Sequence, residues 1–142
     1  MRAFEMEPDS YMTQYFLADL YDWSGQFEEA INMFNRALVN SNRHSWALAS
    51  FVATCAQRSR KKEAEEFFEE LIEKSKLEYI QPATLALAAA AVGENDDALN
   101  YAHKACDEHD PFLIFICRVH PYSRELRSIK GYEEILKRMG LL

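Results

Sequence analysis

The chain has little of what interrupts a helix: four Gly and four Pro in 142 residues, at places that read as junctions between elements. That excludes a loop-rich fold and favours helices joined by short turns. Cysteine is scarce and odd in number, Cys55, Cys106 and Cys117, so a disulfide framework is not expected and reduced, buried thiols are. No stretch approaches the ~20 apolar residues that span a bilayer. The opening MRAFEMEPDS lacks the apolar core of a secretory signal. A cytoplasmic protein with no membrane partner is therefore expected. Glycine-rich phosphate loops, HExxH and GxSxG are absent too, and nothing resembles a catalytic constellation. The expectation is a protein that is not an enzyme and needs no cofactor.

Positive charge is thin over most of the chain. Residues 1–110 hold 10 Lys+Arg against 20 Asp+Glu, whereas residues 111–142 hold six against three, within a net charge of −7. An acidic body disfavours nucleic acid and anionic membrane as partners. The basic tail is expected to lie on or near that body.

What is present is apolar and periodic. Hydrophobic residues make up 49% and aromatics 13%, enough for a continuous core. GQFEEAINMFNRAL (25–38) returns as SRKKEAEEFFEELI (59–72) and as GENDDALNYAHKAC (93–106). Ala30, Ala64 and Ala98 are 34 apart, as are Phe34, Phe68 and Ala102, and Ala37, Leu71 and Ala105. Upstream in each unit stand Leu17, Ala18 and Tyr21, then Phe51, Val52 and Cys55, then Leu85, Ala86 and Ala89. The apolar positions fall at i, i+1, i+4, then, after Gly25, Ser59 or Gly93, at i, i+4, i+7. That is two amphipathic helices and a tight turn. Such a hairpin cannot bury its apolar faces alone, and stacking copies solves the problem.

The 34-residue period, with alanine or another small residue at the eighth and twentieth positions counted from Tyr11, Ser45 and Tyr79, resembles the tetratricopeptide repeat. Departures are the missing tryptophan at the fourth position (Gln14, Leu48, Pro82) and the missing proline at the thirty-second (Asn42, Lys76, Asp110). The resemblance implies an all-α, right-handed superhelical stack of helix-turn-helix hairpins with C-terminal capping helices. The units are 11–44, 45–78 and 79–110, and 111–142 forms a degenerate fourth repeat or cap. Within it, FLIFICRV (112–119) reads as a short buried helix that begins at Asp110-Pro111 and stops at Pro121, and GYEEILKRM (131–139) as a last helix closed by Gly140. Residues 1–10, with Ala3 and Pro8 in register, resemble the end of a preceding repeat's second helix, so truncation from a longer protein is expected. The tail also resembles the ends of bacterial multidomain regulators that carry such repeats.

Two charged clusters have plainer readings. HKACDEHD (103–110) has His, Cys and Asp at helical spacings, but Cys106 falls at an inward position and no further ligands complete a closed zinc site. It reads as a helix end, and no metal is expected. RSRKK (58–62) is followed at once by Glu63, Glu65 and Glu66, which makes it a solvated turn.

The resemblance implies a concave groove lined by the first helices. Carried over residue by residue, it comprises Met12, Tyr15, Asp19, Asp22 and Trp23; Trp46, Ala49, Ala53, Ala56 and Gln57; and Ile80, Ala83, Leu87, Ala90 and Ala91. The subclass that grips chaperone carboxylate tails needs cations where this chain has Tyr15, Asp19, Ser50, Ile80 and Thr84, so that mode is not expected. An apolar groove with aromatic ends suits a partner helix or extended peptide, with Asp19 and Asp22 selecting a neutral or basic segment. The chain's own FLIFICRV is the alternative occupant. The function expected is a non-catalytic scaffold for a protein or peptide partner. Its rivals are the regulatory C-terminal region of a multidomain signalling enzyme or transcription regulator, and a homo-oligomer formed through the open first repeat.

Overall fold

The computed structural model describes residues 8–118 and 123–142. Among them the fold is all-helical. Six longer helices form three adjacent antiparallel pairs: α1 (Tyr11–Trp23) with α2 (Phe27–Asn40), α3 (Ser45–Gln57) with α4 (Lys61–Leu77), and α5 (Pro82–Val92) with α6 (Asn95–Asp107). Three short helices follow, α7 (Phe112–Arg118), α8 (Arg124–Ser128) and α9 (Tyr132–Arg138). No helix among the described residues is long and apolar enough to cross a membrane. The expectations for residues 1–7 and for the stop at Pro121 lie outside the described residues.

The repeat is visible in the backbone itself. Gly25, Ser59 and Gly93 all adopt left-handed φ values, 84°, 60° and 85°. One residue later the amide turns back on the preceding helix in the same way each time: Gln26 N–H to Tyr21 O (2.8 Å), Arg60 N–H to Cys55 O (2.9 Å) and Glu94 N–H to Ala89 O (2.9 Å). This six-to-one closure satisfies carbonyls that the helix end would leave unpaired. Ala30, Ala64 and Ala98 are fully buried, as are Ala18, Val52 and Ala86. A small side chain there lets the two helices of a pair approach closely, while Phe34, Phe51 and Phe67 stack in series (5.2 and 4.8 Å between centroids) and fill the space between the first two pairs.

The stack is not uniform. Helices α3 and α5 approach closely over much of their length, with Ala47, Ala49, Leu85 and Ala88 in one buried cluster. Between α1 and α3 close approach is sparse; Tyr15, Asp19 and Asp22 stand between them and make polar contacts instead. Helix α5, PATLALAAAAV, is buried from Pro82 to Ala90. A helix apolar on almost every side is an interior helix, and here α3, α4, α6, α7 and α8 surround it.

The C-terminal segment closes the stack. Leu113, Ile116, Leu126, Tyr132 and Ile135 join Ala83, Ala86, Leu87 and Ala90 in one apolar cluster. Asp110 begins this cap and does more than the expected capping of α7. Its Oδ1 accepts the Phe112 amide and its Oδ2 the Ala83 amide, both at 3.0 Å, so one carboxylate caps two helices. Helix α8 was not foreseen in the sequence: RELRS is short, charged and without a readable period. Of the basic tail, Arg138 reaches the body, on Asp107 and on the His103 carbonyl.

Candidate functional site

The residues expected to line a groove divide into two groups. Tyr15, Asp19, Asp22, Ala49, Ala53, Ile80, Ala83, Leu87 and Ala90 are buried within the chain. Met12, Trp46, Ala56 and Ala91 are partly buried, and Trp23 and Gln57 are exposed. The alanine floor along α5 is therefore not a channel for a foreign backbone; the chain's own α7 and α8 lie across it. Trp46 shows how this happens. Its ring stacks on Phe112 (5.4 Å, 14° between planes), its indole N–H donates to Gln81 Oε1 at 2.9 Å, and Phe112 stacks in turn on Phe115 (5.3 Å). At the other end of α3, Gln57 donates to Glu125 of α8. The segment 112–118, the alternative occupant, packs against the third pair.

The open surface lies instead on α1. Phe16 is 51% exposed, Leu20 57% and Trp23 39%, and Met12 is half-buried beside them. At i, i+4, i+8 and i+11 these four make a stripe along one side of the helix. The only charged residues of α1, Asp19 and Asp22, are both buried. The stripe thus has no charge of its own. Sequence reasoning placed Met12 and Trp23 in the groove but missed Phe16 and Leu20, although their four-residue spacing was legible.

Beneath the stripe lies a polar seam between α1 and α3. Thr54 donates to Asp22 Oδ2 (2.9 Å), and the Arg58 guanidinium pairs with Asp22 Oδ1 (3.1 Å). Asp22 is thereby committed inside the chain, with no role left in selecting a partner. Ser50 donates to the Tyr15 hydroxyl at 3.2 Å, which leaves the Tyr15 proton for the Asp19 carboxyl. Asp19 is 3% exposed and its Oδ1 has no partner. Burial, with the nearby Asp22 charge, pushes its pKa up to about 7. Burial and the Asp19 charge together raise that of Tyr15.

A shallow cleft of about 440 Å³ lies elsewhere, between α4 and α6; Phe68, Ile72 and Tyr101 line it, with Glu69, Glu73, Glu94 and Asp97 around it. Among the described residues no three His, Cys, Asp or Glu side chains are grouped so as to hold a metal ion. Cys55 and Cys117 are buried, and burial pushes the Cys55 thiol up to about 12. No family model, curated protein or solved structure matches the chain.

Proposed function

We propose that this chain is a non-catalytic protein-interaction module, a right-handed stack of tetratricopeptide-type hairpins, and that it holds an apolar helix of a protein partner against α1. The observation that carries the reading is the uncharged, exposed stripe of Phe16, Leu20 and Trp23 on a helix whose other sides are packed. Contiguous exposed apolar side chains, aromatics above all, mark contact surfaces, and a helix that lays its apolar face along another is a recurring recognition mode. The repeating turns at Gly25, Ser59 and Gly93 and the buried alanines 34 residues apart support the tetratricopeptide reading.

The groove implied by the resemblance gives way to this outer surface because the chain's own segment occupies much of that groove. Whether the chain serves as the regulatory end of a larger signalling protein depends on what the stripe holds. A test compares partners retained from a lysate by the immobilised chain and by a folded Phe16→Asp/Leu20→Asp variant. Proteins kept by the first and lost by the second support the reading; identical sets overturn it. Light scattering over a concentration series separates self-association from a foreign partner: a mass that doubles with concentration, and stays monomeric in the variant, assigns the stripe to a second copy.

A further inference from the structure

We propose that the cleft between α4 and α6 is a second docking surface, separate from the α1 stripe, and that it takes an arginine-bearing segment of a protein partner. The cleft follows from the way the second and third pairs meet. Their first helices, α3 and α5, pack closely, whereas α4 and α6 each pack on α5 and scarcely on each other. The gap left between them has a volume of about 440 Å³. Its floor is apolar: Phe68 and Ile72 stand one turn apart on α4, and Tyr101 of α6 completes it. All three are partly buried against the core, which fixes the floor from beneath.

The rim carries one sign of charge. Glu69 and Glu73 of α4 line the cleft with Glu94 and Asp97 at the start of α6, and among the described residues no lysine, arginine or histidine lines it. The rest of α4 is different, because each of its carboxylates outside the cleft has a cation, as Glu66 has Lys62 and Glu70 has Arg43. At the cleft Glu73 pairs with the exposed Lys76, while Glu69, Glu94 and Asp97 have no ion pair among the described residues. Tyr101 registers the same field: burial and the Asp97 charge raise its pKa.

An apolar floor inside a ring of like charge attracts a cation that has an apolar stem. Arginine meets both parts. Its stem covers the floor while its head stays at the rim, and its planar guanidinium stacks on aromatic rings and pairs with carboxylates. An acidic segment meets like charge and is rejected. The cleft is too shallow to enclose most of a small ligand, whereas a peptide segment lays several stems along it.

The test titrates the isotope-labelled chain with a blocked hexapeptide of alternating leucine and arginine and follows the backbone amides by NMR. Saturable shifts are expected at Phe68, Ile72, Asp97 and Tyr101. Glu69→Gln/Asp97→Asn should weaken affinity about fivefold, the sum of two exposed ion pairs. Glu28→Gln/Glu29→Gln, which removes two exposed charges from the first pair, should leave affinity within about twofold because salt screens distant charge. Circular dichroism checks the fold of both variants. Shifts spread over every acidic face, an equal loss in the two variants, or no saturation at millimolar peptide would overturn the site. Spermidine that reproduces the cleft shifts with equal affinity would make the ligand a small polycation and overturn the peptide. Cleft shifts that appear on concentrating the chain alone would assign the cleft to a second copy, and likewise overturn it.

Discussion

Asp19 is a carboxyl whose surroundings favour its neutral form. Its pKa is about 7 in the fold against 3.8 for an ordinary aspartate, so between those values the folded chain holds a proton that the unfolded chain has lost. Stability is then at its fullest near pH 4, falls as pH climbs to about 7, and stays lower above that. The slope is worth about 4 kcal/mol over that window. Urea midpoints measured from pH 5 to pH 8 should fall for the wild type and run nearly flat for Asp19→Asn, apart from slopes common to both; parallel profiles would show that Asp19 ionises as it does in water. A second residue acts on two helices at once. Asp110→Ala removes the caps of α5 and α7 together and should cost about 2 kcal/mol, twice a single cap, seen as a lower urea midpoint. The i, i+3 spacing of Asp19 and Asp22 was legible in the sequence, but their fates were not. Only the position of Arg58, contributed by the next pair, gives Asp22 a cation and leaves Asp19 among neutral groups.

At the scale of elements, the turn within each pair is the repeated device, and it is imperfect in the second. Ser59 takes a left-handed φ of 60° where Gly25 and Gly93 take 84° and 85°. A side chain with a Cβ is strained there by roughly 1 kcal/mol. Ser59→Gly should therefore raise stability by about 0.5–1 kcal/mol, and Gly93→Ala should lower it by about 1 kcal/mol. An added Cβ at Gly93 meets nothing within 4 Å, so its cost is backbone strain alone. Thermal unfolding of the two variants checks the pair of signs, and matching signs would contradict the account. These elements were readable in the sequence because their cause is local: period, alanine spacing and a turn residue at fixed intervals. Helix α8 was not, since RELRS has no period of its own and becomes helical where Leu126 finds the cluster around α5.

For the whole molecule, the stack is joined in two ways. The second and third pairs meet through small residues at close range, and the first pair meets the second through the Phe34–Phe51 stack and a polar seam. The Trp46–Phe112 stack ties α3 to the C-terminal cap across α5. Single alanine variants at either ring should destabilise the fold by 2–4 kcal/mol. The double variant should cost less than their sum, with a coupling of about 0.5–1.5 kcal/mol beyond burial. Strict additivity in urea unfolding would mean that the two rings do not share an interaction. Loss of Trp46 is expected to act through stability, because its ring is occupied inside the chain.

The sequence by itself determined the helices of the three pairs, the turns between them and the alanines on which each pair closes. All of these follow from periodicities within one or two helices. Only the tertiary structure decided which surface stays open. Tyr15, Ala53, Ala83 and Leu87 have the composition of a binding face, yet they are covered within the chain, while Phe16 and Leu20, outside the expected groove, stay exposed. Local pattern says which residues are apolar. It does not say what packs upon them, because burial depends on where every other helix ends and which of them turns back.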